Sequence, residues 1–469
     1  MGTILNRIFD SVLLYSIAYF SSMLFFGYLS IRHMSRSRAG NRDGPNARAL
    51  RPDAPGISLI MPAFNEEVVI VETVRSALAN KYPNLEVVVV SDGSKDRTVQ
   101  VLVEAFDLAA LERLPVPGPI ETKEVNAVYC SRSGPSIIVV DKGPSGAKAD
   151  GSNCGLNFAN MPWIGVMDAD ELIDPDALVH AMTEIMHTPG NVVACGVTLL
   201  PSNGVTVEDG RVLISPVTKN YWVGCQLIEY LNSYLMAKPG MNVLSAMPNI
   251  SGGFGLFRRD VILAVEGYRH GHLGEDMDMV TRIHTMFLES KVPYRMVHAP
   301  QAVVWTELPF NRKILTRQRV RWHRGLRQVM AGSRGYIGRP SYGNFGMIAL
   351  PFQFLFEWVA VPIEAVGWMV LVILLCTTGI NLQSTLSLFA ASQMLSTMVN
   401  FTAAYMAVHY LPFYHKRSDA LRLLLWALAS QYGFRQLTLM WRVRSLFPGG
   451  TGWGVMPRAG YAKPTGPTT

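Results

Sequence analysis

The chain has 469 residues, with 42 Lys and Arg against 35 Asp and Glu, and so a formal net charge of +7. Apolar residues make up 49% of it and charged residues only 16%, against about 25% in ordinary soluble domains. With a mean hydropathy of +0.19, this composition excludes extended disorder and argues against a wholly soluble protein. The isoelectric point near 9.1 does not indicate nucleic acid, because the basic residues flank apolar segments. We expect membrane lipid as a partner instead.

The N-terminal segment predicts a transmembrane anchor over residues 1–34. Phe9–Ile31 is an apolar run of 23 residues without a small-residue cleavage site at its end, long enough to cross a membrane as a helix. Only Arg7 precedes it, whereas six arginines follow it: Arg32, Arg36, Arg38, Arg42, Arg48 and Arg51. This asymmetry predicts a cytoplasmic location for the next domain. Residues 35–55 are a basic linker by composition.

Residues 56–340 have the pattern of a soluble α/β domain. Short apolar runs alternate with helical periodicity, which favours a parallel sheet covered on both faces. The predicted strands are Ile57–Met61, Leu85–Val90, Ile137–Val140 and Trp163–Met167, and the first predicted helices are Glu66–Asn80 and Arg97–Leu111. Pro115–Pro135 fits neither period and is predicted to be a loop.

Residues 341–447 are apolar again and predict interfacial and transmembrane helices. Phe345–Thr378 predicts an interfacial helix that kinks into a span over Pro362–Thr378, and Thr385–Leu411 a second span. Ala420–Phe447 fits either a pair of half-helices or a third span, because Arg435 lies in its middle. The tail 448–469 is rich in glycine and proline and is predicted to be mobile. The five cysteines form no CxxC pair, which indicates reduced thiols.

Two acidic residues follow the strand at Trp163–Met167. Asp168 and Asp170 can share one Mg²⁺ or Mn²⁺ with phosphate oxygens. The alternative is an acidic turn that caps the helix near Pro175.

Two further strand ends carry polar side chains. Asn65 and Glu67 follow the first strand and Asp92 the second, a combination that suits a nucleoside group. The alternative is that Asn65 and Ser94 cap helices. Downstream, a glycine-rich bend with Lys142 and Lys148 suits phosphate oxygens, or is a common solvated loop.

Asp276 follows Glu275 at a predicted helix start, where it suits a general base or simply the helix dipole. Gln318, Arg321 and Trp322 share one face of a predicted helix, because residues three and four apart are neighbours. That face suits a diphosphate and a sugar ring. The alternative is a basic helix lying on the membrane surface.

In order, the segments PAFNEE, SDGS, GAKADGSNCGLN, DADE, GED and QRVRW resemble the membrane-embedded branch of glycosyltransferase family 2. Cellulose, chitin, hyaluronan and poly-N-acetylglucosamine synthases belong to it. The resemblance covers roughly Gly56–Gln328. It implies a GT-A fold, Rossmann-like with a mostly parallel sheet, flanked by transmembrane and interfacial helices.

The resemblance also implies roles for particular residues. Asp92 matches the residue that contacts the base or ribose, Asp168 and Asp170 the metal and diphosphate motif, and Lys148 a lysine near the diphosphate. Asp276 matches the general base. Gln318, Arg321 and Trp322 match the QxxRW motif that binds diphosphate and acceptor, and Ser251–Phe254 resembles the segment that lines the acceptor site.

The expected activity is metal-dependent inverting transfer from a UDP-sugar, UDP-GlcNAc or UDP-Glc, that builds a β-linked polysaccharide. Transfer of one sugar to a lipid or short acceptor is the alternative, and a non-enzymatic export or sugar-binding component a weaker one. The motif Gly-Glu-Asp, where cellulose synthases have Thr-Glu-Asp, and the small number of C-terminal spans leave processivity and the sugar open. We expect a multi-pass protein of the inner membrane, with accessory export subunits as possible partners.

Overall fold

The computed structural model describes residues 2–40, 48–113, 118–133, 136–377 and 382–447. The predicted mobile tail and the central part of the predicted linker lie outside these residues. The linker prediction is wrong at its start, because the N-terminal helix continues through residues 35–40.

The helices are α1 (Gly2–Gly40), α2 (Ile70–Leu78), α3 (Thr98–Phe106), α4 (Lys148–Phe158), α5 (Ala177–His187), α6 (Tyr221–Leu231), α7 (Lys238–Val243), α8 (Arg259–Ala264), α9 (Glu275–Glu289), α10 (Arg312–Gly332), α11 (Leu350–Gln353), α12 (Ala360–Cys376), α13 (Leu382–Tyr410), α14 (Arg417–Ala429) and α15 (Arg435–Arg444). Four π-helical segments adjoin them: Asn232–Ala237, Phe345–Ala349, Phe354–Trp358 and Ser430–Phe434.

The strands are β1 (Ile57–Ala63), β2 (Leu85–Asp92), β3 (Leu108–Ala110), β4 (Val125–Ser131), β5 (Ser136–Lys142), β6 (Trp163–Met167), β7 (Leu172–Ile173), β8 (Val192–Pro201), β9 (Thr206–Glu208), β10 (Arg211–Ile214), β11 (Phe254–Arg258) and β12 (Arg295–Thr306).

The described chain divides into two compact units. The α/β unit comprises residues 37–216 and 247–308, and the helical unit comprises residues 2–36, 217–246 and 309–447. The division separates α6 and α7 from the strands on either side of them in the sequence. The predicted sequence-continuous domain boundaries stay a prediction.

Ten strands form one sheet in the α/β unit, in the order β3-β4-β5-β2-β1-β6-β11-β8-β12-β7. The central strands β5, β2, β1 and β6 are mutually parallel, and β8 and β12 are parallel to each other. β11 runs antiparallel between β6 and β8. The predicted α/β fold with a mostly parallel sheet is confirmed. Its central strands are buried on both faces, which explains their uninterrupted apolar runs.

The loop prediction for Pro115–Pro135 is wrong, because β4 lies within it and pairs antiparallel with β5. Val128 is its one fully buried residue, and the rest of its short apolar run, Ala127–Cys130, is partly exposed near the sheet edge. The predicted helix Arg97–Leu111 is also too long. Asp107 has a φ of +47° and ends α3 at Phe106, and the chain continues as β3.

Within the helical unit, two of the described helices are long and apolar enough to cross a membrane, Gly2–Arg36 and Phe345–Cys376. The π-helical segments Phe345–Ala349 and Phe354–Trp358 interrupt the regular α-helix ahead of α12, and the predicted kink stays a prediction. Pro351 and Pro362 lie in the first turns of α11 and α12, where the missing N–H of proline breaks few helical hydrogen bonds.

The segment 420–447 forms two helices, α14 and α15, and not one continuous helix. This agrees with the alternative of a pair of half-helices. The backbone breaks between them at Tyr432 and at Gly433, which has a φ of +85°.

Candidate active site

The two corners that follow β1 and β2 are joined by hydrogen bonds. The amide of Lys95 donates to Asn65 Oδ1 over 2.8 Å, and the amide of Arg97 donates to Glu67 Oε2 over 2.9 Å. Asn65 itself donates from its amide to Ser94 Oγ over 3.2 Å. The structure therefore brings the predicted residues Asn65 and Glu67 to the turn after Asp92. Their side chains fix this turn and do not cap their own helix.

Asp92 ends β2 and is buried by the loop that follows β5. Ser145 donates to it twice, from its amide over 3.1 Å and from its hydroxyl over 2.7 Å. Lys142 forms an ion pair with the same carboxylate and a second one, at 2.7 Å, with Asp150. Lys142 is fully buried, so it cannot reach a bound phosphate, and the prediction that both lysines of this bend suit phosphate is wrong for Lys142.

Lys148, the first residue of α4, pairs with Asp168 at the end of β6. Its ammonium also donates to the carbonyl of Gly252 over 2.6 Å. Burial by itself would lower the pKa of Lys148, but the carboxylates of Asp168 and Glu275 outweigh it and raise the pKa. This cation therefore stays charged, and it lies where the resemblance expects a diphosphate.

Asp168 and Asp170 lie in the turn after β6, and the N-cap position of α5 is taken by Asp176, which makes no side-chain capping hydrogen bond. The alternative that these two acids cap that helix is therefore wrong. The carboxylate of Asp168 is 38% exposed and that of Asp170 is buried.

Glu171 is a neighbouring acid that the sequence reasoning missed. It is fully buried, and its Oε2 accepts from the amide of Asp168 over 3.3 Å. Its Oε1 has no hydrogen-bond partner, and a Cβ at Gly253 would lie 2.5 Å from this atom. Burial, with Asp168 and Asp170 close by, raises the pKa of Glu171 well above its usual value. The signal available in the sequence is the third acid of DADE, at the fourth position of that motif.

Asp276 lies in the first turn of α9, and its Oδ1 accepts from the amide of Met277 over 2.8 Å. A Cβ at Gly252 would lie 2.9 Å from Asp276 Oδ2. The glycine whose carbonyl binds Lys148 therefore also touches the predicted base. Only a residue without a side chain leaves Asp276 this close to the backbone.

Tyr268 is a second missed residue near the same acids. Burial raises the pKa of its hydroxyl, and the charges of Asp276, Glu275 and Asp168 raise it further. Asn153 holds the backbone of Tyr268 by two hydrogen bonds of 2.8 Å. No pattern in the sequence marks Tyr268, because a lone tyrosine in a loop carries no periodic signal.

Gln318, Arg321 and Trp322 lie in the helical unit on α10, a helix of 21 residues that confirms their predicted spacing on one face. Gln318 Oε1 is buried without a hydrogen-bond partner. Trp322 is 38% exposed, and the guanidinium of Arg319 lies 4.9 Å from the centre of its ring. Arg319 also pairs with Glu229 over 2.5 Å. The roles of the three predicted residues stay predictions.

The carboxylates of Asp168 and Asp170 fit Mg²⁺ or Mn²⁺ by their chemistry, because hard cations prefer oxygen ligands. Within the described parts of the chain, no group of three or more His, Cys, Asp and Glu is arranged to hold a metal ion. The protein thus offers a partial set of ligands. This is the arrangement in which Mg²⁺ takes one or two carboxylates and completes its shell with waters and phosphate oxygens.

Curated relatives of the chain are bacterial synthases. Poly-beta-1,6-N-acetyl-D-glucosamine synthase of Staphylococcus aureus is 24% identical over 315 residues, which cover 66% of this chain and 64% of the relative. The corresponding synthase of Staphylococcus epidermidis is 24% identical over 276 residues, or 59% of this chain and 55% of the relative. The chain thus matches less than two thirds of the length of either relative.

Among solved structures, a mannosyltransferase from Pyrobaculum calidifontis in complex with GDP-Man and Mn²⁺ superposes with a TM-score of 0.53. It is 17% identical, and the match covers 90% of this chain and 99% of that one. At this identity the similarity shows the fold alone, which is the GT-A fold that the resemblance implies.

The family profile described as "Glycosyltransferase like family 2" matches residues 54–325. These residues make up more than half of the chain and contain every candidate residue described above in either unit. The chain therefore belongs to glycosyltransferase family 2.

Proposed function

We propose that this glycosyltransferase transfers a sugar from a UDP-sugar, UDP-GlcNAc or UDP-Glc, with inversion, and builds a β-linked polysaccharide. The observation that carries the proposal is the link between Lys148 and Asp276 through Gly252. A cation suited to a departing diphosphate and a carboxylate suited to a general base flank one backbone residue. The similarity to two poly-beta-1,6-N-acetyl-D-glucosamine synthases supports the polymer and favours the GlcNAc donor.

In the proposed reaction, a hydroxyl of the acceptor attacks the anomeric carbon of the donor. Asp276 takes the proton of that hydroxyl as the new glycosidic bond forms, and the bond to the diphosphate breaks with release of UDP. Lys148 stabilises the charge that grows on the diphosphate. A metal ion bound at Asp168 and Asp170 would supply further positive charge there. Asp92, Asn65 and Glu67 form the corner proposed to hold the nucleoside.

A cavity of about 180 Å³ in the helical unit supports a carbohydrate acceptor. Asn232 and Gln431 line it, and each has a buried amide oxygen without a hydrogen-bond partner. Such oxygens accept from hydroxyl groups, which sugars carry in abundance. Aromatic rings line it as well, among them Tyr15, Tyr19 and Phe434. On α10, Gln318, Arg321 and Trp322 are proposed to bind the diphosphate and the acceptor.

The second candidate is transfer of one sugar to a lipid or short acceptor. The observation that favours it is the small number of apolar helices, two among the described residues. Both candidates place the protein in the inner membrane with its catalytic domain in the cytoplasm, where nucleotide sugars are made. Accessory export subunits would be partners only for the polymer.

The test is UDP release by the purified protein in detergent over a panel of nucleotide sugars. The panel includes GDP-mannose, because the structural neighbour from Pyrobaculum calidifontis binds GDP-Man. We expect release from UDP-GlcNAc or UDP-Glc, together with a radiolabelled product of many sugars. A labelled product of one added sugar would favour the second candidate. Release from GDP-mannose alone would contradict the proposed donor.

A further inference from the structure

We propose that Lys142 is a positioning residue, which ties the nucleoside end of the donor site to its phosphate end. Its ammonium group forms ion pairs with the carboxylates of Asp92 and Asp150. Asp150 lies in the first turn of α4. Lys148, which faces the phosphate end, begins the same turn. The inference rests on the proposed function and adds to it a residue that contacts no substrate.

The ammonium group of Lys142 uses all three of its N–H donors inside the protein. It pairs with Asp92, with Asp150 over 2.7 Å, and donates to the carbonyl of Gly143 over 2.9 Å. An ammonium has three donors and no acceptor, and this side chain is fully buried. Lys142 is therefore unable to bind a ligand itself, and its effect on the site passes through the two carboxylates.

The loop after Lys142 closes over Asp92. Ser145 binds both oxygens of the Asp92 carboxylate, and Gly93 lies directly against Pro144. A Cβ at Gly93 would come within 2.6 Å of Pro144, and the φ of +69° there also favours glycine. The turn after β2 and the bend before α4 thus pack directly against each other, and the Lys142 ammonium binds a carboxylate from each side.

This arrangement restricts what Asp92 offers to a nucleoside. Protein donors take two positions on Oδ1 and one on Oδ2, out of the roughly four acceptor positions of a carboxylate. One position on Oδ2 is left for an N–H or O–H of the nucleoside. Its direction is fixed by Lys142 and Ser145, so a loosened carboxylate would bind the nucleoside less tightly. The transfer step itself, which takes place at the other end of the donor, would be unaffected.

The test uses the double variant Lys142→Met with Asp150→Asn. The variant loses one positive and one negative charge together. The net charge of Lys142, Asp92 and Asp150 is therefore unchanged, while both ion pairs disappear. Lys142→Met alone is unsuitable, because two buried carboxylates would face each other without a cation. We expect KM for the UDP-sugar and Kd for UDP by calorimetry to rise about tenfold or more, with kcat within about threefold of wild type.

The control is Glu86→Gln. Glu86 lies on β2, the strand that ends at Asp92, but at the opposite end of it. Glu86 is buried and accepts from Ser58 over 2.5 Å and from the amide of Asn160 over 2.8 Å. It should lower the thermal unfolding midpoint without changing UDP affinity. Wild-type UDP affinity in the folded double variant would overturn the inference, and so would an equal loss of affinity in Glu86→Gln.

A second variant keeps the inference testable if the double variant does not fold. Ser145→Ala removes one hydrogen bond to Asp92 from the partly exposed loop, and we expect a several-fold rise in the Kd for UDP. Unchanged affinity would overturn the inference. Wild-type protein that does not bind UDP would overturn the proposed function as well, whereas wild-type binding of UDP with unaffected variants would overturn only the role of Lys142.

Discussion

At the scale of single residues, the roles of the acids can be separated by their effects on rate and on binding. Asp276→Asn keeps the shape of the side chain but cannot take a proton. We expect the rate of UDP release to fall at least about 100-fold, the lower end of general-base contributions. UDP-sugar affinity should stay within a few-fold of wild type, because Asp276 faces the acceptor in the proposed reaction. Calorimetry beside the rate assay measures both.

Asp168→Asn is expected to differ from Asp276→Asn. Loss of the carboxylate that pairs with Lys148 and is proposed to hold the metal should lower nucleotide affinity together with the rate. Trp322→Ala should spare UDP binding and impair use of the acceptor. If Asp276→Asn lost nucleotide binding while Asp168→Asn kept it, the two roles would be exchanged.

Because His284 is buried, we expect the stability of the α/β unit to depend on pH. Its Nε2 donates to the carbonyl of Met247 over 2.9 Å, so its Nδ1 accepts from the hydroxyl of Tyr294. Burial lowers the pKa of His284 from 6.5 to about 3. The unfolded chain therefore takes up a proton below pH 6.5 that the folded protein does not. Stability should be full above that pH and fall towards pH 3, by up to about 1.4 kcal/mol per pH unit.

The measurement compares wild type with His284→Gln by thermal unfolding between pH 7.5 and 4.5. Glutamine offers a donor and an acceptor without titrating, so the loss of stability on acidification should be shallower. The exposed His187, changed to Gln, is the matched control and should leave the slope unchanged. Equal slopes in all three proteins would show that His284 does not contribute.

At the scale of elements, glycines allow α1 to lie close to α7 and to the π-helical segment Asn232–Ala237 before it in the helical unit. A Cβ at Gly240 would lie 2.4 Å from the carbonyl oxygen of Phe26, and one at Gly27 would lie 2.6 Å from the end of Met236. The first contact is with backbone, which cannot rotate away as a side chain does. We expect Gly240→Ala to destabilise the helical unit by about 1–3 kcal/mol, the usual effect of overpacking.

Thermal unfolding in detergent tests this expectation against Gly332→Ala. Gly332 ends α10 and has no atom within 4 Å of its Cβ position. Alanine there should be neutral or stabilise by up to about 1 kcal/mol, because it is the better helix former. A Gly240→Ala variant as stable as wild type would mean that α1 moves away from α7 at little cost.

At the scale of the whole molecule, activity is expected to depend on a divalent cation. Asp168 and Asp170 are proposed to provide carboxylate ligands for it, and among the described residues no third acid or histidine joins them in a metal-binding arrangement. Chelation with EDTA should abolish UDP release, and Mg²⁺ or Mn²⁺ should restore it. Full turnover in chelator would remove the metal from the proposed reaction.

The topology of the chain is a second prediction at this scale. The arginines between Arg32 and Arg51 should hold the C-terminal side of α1 in the cytoplasm. A reporter fused after Arg51 should behave as cytoplasmic and one fused before Phe9 as external. The reverse result would separate the active site from its nucleotide sugar.

The sequence by itself determined the central strands, because strands buried on both faces need continuous apolar runs such as Val87–Val90. It also determined the order of the motifs, since acids such as Asp168 follow those runs directly in the chain. The long apolar helix α1 followed from the length of the apolar run Phe9–Ile31. These features depend on neighbours in the chain, so a linear pattern records them.

Only the tertiary structure decided which polar groups face one another. Lys142 and Lys148 look alike in the sequence, yet one is buried between two carboxylates and the other meets Asp168. Strand β4 has one buried residue and takes its conformation from pairing with β5. Glu171 meets Gly253 and Tyr268 meets Asn153, and both of these partners come from distant segments. Pairing and burial depend on residues far apart in the chain, and no local pattern carries that information.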